Sequence, residues 1–109
     1  MPVRLSLKDI VDRFMEKLRS TGSASIAYKL DFERKVGRIV IDRETYETEY
    51  IAFTPLANAV KEAVEREYGE LKLVGTIGFR GEIFENPRVY LRIEAGWGLL
   101  WIDGNLKGG

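Results

Sequence analysis

TPLANAVKEAVEREYG, residues 54 to 69, is the stretch that decides the fold. Leu56, Ala59, Val60, Ala63, Val64 and Tyr68 recur at the three-and-four spacing of one helical face, and Asn58, Lys61, Glu62, Glu65 and Arg66 occupy the other. Thr54 is placed to cap the first turn through its hydroxyl, with Pro55 at the first helical position, where a fixed φ fits and a missing N–H costs nothing. Gly69 ends the helix, since glycine takes positive φ freely. Such a helix does not hold in water alone, so an apolar surface must lie against it, and the flanking segments are patterned to supply that surface as strands.

Upstream, Ser6 and Asp9 stand at capping-box spacing, with Leu5 and Ile10 placed as a hydrophobic staple. A first helix begins here. Leu7, Ile10, Val11, Phe14 and Leu18 make its apolar face with Met15 on the border; Lys17 and Arg19 suit its C-terminal dipole before Thr21 and Gly22 break it. From Ser25 to Phe32 the period drops to two, with Ile26, Tyr28, Leu30 and Phe32 alternating against Ser25, Ala27, Lys29 and Asp31. Glu33 to Gly37 turns the chain and Arg38 to Ile41 returns it, which makes a hairpin with Arg34, Lys35 and Arg38 clustered at its tip. Asp42 to Phe53 is read as a third strand on the alternation of Tyr46, Thr48 and Tyr50 with Glu47 and Glu49; a helix running into the next one is the alternative.

Beyond Gly69, Leu71, Leu73, Ile77 and Phe79 fall on one face of a strand, with Lys72, Val74, Thr76 and Arg80 opposite. A connection holding Gly81 and Asn86-Pro87 follows, in which EIF can extend a strand. Arg88 to Ala95 alternates, with Val89, Leu91, Ile93 and Ala95 on one side and Arg88, Tyr90, Arg92 and Glu94 on the other. Gly96 or Gly98 turns the chain into a last strand, Trp97 to Ile102, and DGNLKGG is expected to fray. The expected fold is a single α+β domain over residues 1–109, one antiparallel sheet of about five strands with two amphipathic helices on one face.

The composition excludes much chemistry. Hydrophobic residues make up 45% and charged residues 31%, and no stretch approaches the apolar length of a membrane span or a signal peptide, so a cytoplasmic protein is expected. There is no cysteine, histidine or glutamine, which removes disulfides, Cys/His zinc sites, thiol nucleophiles and imidazole acid–base work. Ser and Thr lack a base, and Gly75, Gly78 and Gly81 match neither phosphate-loop nor dinucleotide spacing, so no catalytic residue, no metal site and no cofactor is expected. The net charge is +0, yet residues 1–41 carry nine basic and five acidic residues, 42–70 three and eight, and 71–109 five and four. Such segregation suits a local basic surface or a charge-matched contact between subunits, and a homo-oligomer, either a dimer or a dimer of dimers, is expected.

One pattern carries a function. Arg88, Tyr90 and Arg92 place an aromatic between two cations, each about 7 Å apart along a strand. Trp97 and Trp101 share a face of the next strand. If that face is the outer one, aromatics and cations interleave on a sheet, as single-stranded nucleic acid requires: bases stack on rings while Arg and Lys follow the backbone. The expected site is therefore Arg88, Tyr90, Arg92, Trp97 and Trp101, joined by Arg34, Lys35 and Arg38 from the hairpin tip. The plainer reading of the pattern is that both Trp pack in the core and Arg88 and Arg92 pair with Glu; the alternative function is a non-enzymatic, self-associating structural or protein-interaction module whose aromatics bind its own kind.

In size, element order, aromatic and basic C-terminal third, and its charge-rich composition lacking the labile Cys and Gln, the chain resembles the ThermoDBP-related single-stranded DNA-binding proteins of archaea. The likeness rests on layout and composition, and no functional residue is carried over from it. It implies a thermophilic, sequence-tolerant single-stranded DNA binder of non-OB α+β fold that self-associates, with basic residues flanking an apolar cleft or channel.

Overall fold

The computed structural model describes residues 4–78 and 80–108. Its elements run α1 (Leu7–Thr21), β1 (Ser23–Asp31), β2 (Val36–Ile41), β3 (Glu44–Thr48), α2 (Phe53–Tyr68), β4 (Lys72–Ile77), β5 (Gly81–Glu85), β6 (Val89–Gly96) and β7 (Leu99–Leu106). The seven strands form one sheet in the order β3-β2-β1-β7-β6-β5-β4, antiparallel at every pairing. One meander, β1 to β3, steps outward from the centre; the other, β4 to β7, steps back in, and β7 closes beside β1. Helix α2 therefore joins the two opposite edge strands. Its 16 residues span about 24 Å, against roughly 29 Å for six strand spacings. Among the described residues, no helix is long and apolar enough to cross a membrane.

Both helices lie on one face. Ile10, Phe14 and Leu18 of α1 and Leu56, Val60 and Val64 of α2 pack over Ile26, Tyr28, Ile39, Leu91, Leu100 and Ile102, all under 2% exposed. The capping box at Ser6 and Asp9 forms as expected, and Asp9, with its carboxylate accepting the Ser6 amide, titrates below the usual Asp range. Tyr28 sits at the centre of the core. Its hydroxyl donates to the Ile51 carbonyl at 2.8 Å and accepts from the Ile51 amide at 3.1 Å, tying the segment that leads into α2 to the sheet. The ring of Phe53 meets it edge-on, 5.8 Å between centroids.

Several expectations change. The sheet has seven strands rather than about five, because the EIF segment forms β5 in its own right. The tail is also ordered further than expected: DGNL continues β7, with the Leu106 amide bonded to the Gly22 carbonyl at 2.8 Å. Helix α2 begins at Phe53 with Ala52 as N-cap and no side-chain cap bond, so Thr54 does not cap and Pro55 falls at the third helical position, where its missing N–H is still among the unpaired first four. The burial of Phe53 against Tyr28 outweighs the weaker capping preference. On β4, a bulge between Leu73 and Gly75 shifts the register, so Ile77 lands on the face opposite Leu73. Phe79 lies outside the described residues.

Gly37, opposite Leu30 on β2, underlies the Tyr28 ring: a Cβ there would stand 2.5 Å from the Tyr28 hydroxyl and 2.6 Å from ring carbon Cε1. Gly37→Ala is expected to lower the unfolding free energy by about 1–3 kcal/mol in urea titration, through overpacking of this contact.

Candidate binding face

Among the described residues, no other element covers the face away from the helices. Strand alternation sends Ala27 and Lys29 of β1, Arg38 and Val40 of β2, Leu99 and Trp101 of β7, and Tyr90, Arg92 and Glu94 of β6 to that side. Register then fixes neighbours. Val40, Ala27, Trp101 and Glu94 form one row across four strands, and Arg38, Lys29 and Leu99 form the next. Trp101 is 38% exposed at the centre of the sheet.

Trp97 leaves the strand assigned to it. With Gly96 paired to Leu99, Trp97 and Gly98 are the two loop residues of a hairpin, at φ 51° and 76°, the backbone of a type I′ turn. Its indole is fully exposed. The tip of the β1–β2 hairpin emerges at the same end, on the adjacent strand. Two further aromatics stand there: Phe32, 61% exposed, meets Tyr50, 41% exposed, edge-on at 6.3 Å, and the Lys35 ammonium lies 5.3 Å from the Tyr50 ring centre. All four exposed aromatics among the described residues thus gather at this end and on the open face beside it.

The charges gather with them. Lys29 and Arg38 are direct cross-strand partners, both exposed, a like-charge pairing that weakens a sheet. Arg38 faces Glu47 on its other side, but that carboxylate already accepts Arg4 Nε at 2.7 Å and has Arg34 Nη2 at 3.7 Å. Three cations, Arg4, Arg34 and Arg38, therefore neighbour Glu47. The Asp31 carboxylate is turned to the Glu33 and Arg34 amides, and closes the hairpin tip.

The Arg–Tyr–Arg row does not assemble. Arg88 precedes β6 and turns to the helix layer, where its guanidinium lies 5.2 Å from the Tyr68 ring centre and donates to the Glu67 carbonyl at 3.5 Å. Arg92 does reach the open face, but it donates to Glu94 at 2.8 Å, a bond that raises its pKa, and Asp103 is its cross-strand neighbour. Tyr90 lines a shallow depression of about 310 Å³ with Arg92, Asp42, Asp103 and Asn105, where two carboxylates oppose a phosphate. Of the eight expected residues, the fold thus brings Trp97, Trp101, Arg34, Lys35 and Arg38 to one end, and leaves Arg88, Tyr90 and Arg92 elsewhere. Sequence reasoning missed Arg4, Lys29, Phe32 and Tyr50 as members of this cluster. Lys29 had been placed on the correct face, and only its register against Arg38 was out of reach.

The larger depression, about 720 Å³, opens between α1 and the β2–β3 turn. Within it Arg13 stacks on Tyr46, and Tyr46 donates a short hydrogen bond to Glu44 that raises the phenol pKa, while Asp42 Oδ2 is buried there without a hydrogen-bond partner. Among the described residues, no group of three or more acidic side chains is placed to hold a metal ion. The chain matches no family model, no curated protein and no solved structure.

A bulky side chain at positive φ is strained, and a type I′ turn favours Asn or Gly at that position. Trp97→Asn is therefore expected to leave the protein as stable as the parent or up to about 1 kcal/mol more stable in urea titration, even though it deletes the largest side chain of the chain.

Proposed function

We propose that the protein is a non-enzymatic binding module that holds single-stranded DNA or RNA, with little sequence preference, at the Trp97 end of its open face. The observation that carries this is the exposed Lys29–Arg38 pair beside Trp101, two cations set side by side with their nearest carboxylate already shared by Arg4 and Arg34. An anion is what such a corner lacks. Trp97, Trp101 and the Phe32–Tyr50 pair supply π faces beside it, each worth about 1–3 kcal/mol when a base stacks. The bases of a duplex are already stacked on one another and cannot use these rings, so a single strand is preferred. In this reading the protein acts as a homo-oligomer.

A second reading is favoured by the Val40–Ala27–Trp101 row, which is apolar and bordered by the Arg92–Glu94 ion pair, the layout of a protein interface core and rim. There the open face meets another protein surface instead.

Intrinsic Trp fluorescence titrated with oligo-dT and with duplex at two salt concentrations separates the two. Salt-dependent quenching by the single strand alone is the expected result. Lys29→Ala and Arg38→Ala should each reduce the slope of log K against log salt by about one, while Trp97→Asn should weaken binding by about 1–3 kcal/mol and leave the slope unchanged. No response to micromolar oligonucleotide at low salt overturns the nucleic-acid reading and leaves the protein interface.

A further inference from the structure

The sheet has two edges, and they are treated differently. On the β3 edge, the chain before α1 adds a partial further strand: the Leu5 amide donates to the Glu47 carbonyl at 2.9 Å and accepts from Glu49 through its own carbonyl at 3.0 Å. Leu5 thereby takes up backbone groups of that edge next to Glu47 and Glu49. Among the described residues, no strand pairs with the outer edge of β4. Its middle residues are apolar and open, Leu73 at 54% and Val74 at 53% exposed, and Lys72 is the one charge in the strand.

We infer that two copies of this chain pair through β4, antiparallel about a two-fold axis, to make one continuous sheet. This rests on the homo-oligomer part of the proposed function and specifies its surface. Centring the pair between residues 74 and 75 sets Val74 opposite the partner's Gly75, where a Cβ would find nothing within 4 Å, so a branched side chain faces an open position on each side. The same register sets Leu73 against the partner's Thr76. Val74 is also the residue the bulge leaves out of the β4–β5 ladder, since Leu73 pairs with Phe84 and Gly75 with Ile83.

The strand's flanks carry opposite signs. Glu70 stands just before β4 and exposed Arg80 in the turn after it. An antiparallel two-fold brings each end to the other end of the partner, so Glu70 approaches the partner's Arg80 twice over. This sign pattern favours a second copy over an unrelated extended peptide, for which nothing would match both ends. Strand β5 lies between the β6–β7 hairpin that carries Trp97 and the β4 edge, so pairing at β4 leaves the Trp97 turn open.

Sedimentation velocity without nucleic acid tests the pairing. The wild type is expected at twice the 12.5 kDa chain mass at high micromolar concentration, and Val74→Lys at the single mass with an unchanged circular dichroism spectrum. Glu70→Lys alone should weaken the dimer at least tenfold, and adding Arg80→Glu should restore it, because the swapped charges again face opposite signs. A wild type that stays monomeric overturns both the edge and the homo-oligomer. A Val74→Lys variant that keeps the wild-type mass overturns the edge alone. Oligo-dT titration of monomeric Val74→Lys reads the Trp97 end independently of either result.

Discussion

Two helices cannot cover seven strands, and most of what distinguishes this molecule follows from that mismatch. Packed helices stand about 8–10 Å apart, so a pair shields roughly 20 Å of a sheet about 29 Å wide. The helices settle on the middle: α1 on β1 and β7, α2 on β6. The inner face there is closed to solvent, whereas Leu73 at the rim is not. Among the described residues, the outer face has no layer over it. A single chain of this length thus leaves one broad face and one apolar edge for contacts it cannot make with itself.

The topology makes the mismatch tolerable. Since β3 and β4 lie at opposite edges, α2 must travel across nearly the whole sheet between them, and in doing so it buries Leu56, Val60 and Val64 in the core. Tyr28 fixes where that crossing begins. Its hydroxyl satisfies both backbone groups of Ile51 inside the core, at a place where an unpaired pair would cost about 1–3 kcal/mol per group. Gly37 is the space that allows the ring to sit there.

The parts of this legible in the sequence were those governed by local period. Helical faces, the capping box, the β1–β2 hairpin and the alternation of Val89 to Ala95 need only neighbours in sequence, and they are found where the pattern puts them. Strand number was harder, because β5 and the end of β7 are short, glycine-containing stretches whose pairing is decided across the sheet. The start of α2 went to Phe53 because a tertiary ring contact outweighed a local cap. The candidate site divided for the same reason. That Lys29 and Arg38 would stand side by side, or that Glu47 would be taken by Arg4, depends on register between strands far apart in sequence. Trp97 was mistaken for a strand residue because Trp is a poor sign of a turn.

That poor sign is also the informative one. A Trp at φ 51° departs from what the turn favours, a lysine opposite an arginine departs from what the ladder favours, and both departures lie at one end of one face. Elsewhere the departures are milder: Asp42 holds φ 58°, which Asp tolerates better than a bulky residue, Ala52 starts α2 without a side-chain cap, and the ion pairs of Arg19 with Glu67 and Lys107 with Glu85 tie neighbouring elements together. Sequences that specify a fold tend to agree with themselves at every level, and local disagreements collect where something other than folding is being served. Overall neutrality does not weaken the inference. The acids are numerous, but Glu47 is held by Arg4 and Arg34 and Asp31 by backbone amides, so a chain with no net charge still presents the Lys29–Arg38 pair beside exposed rings.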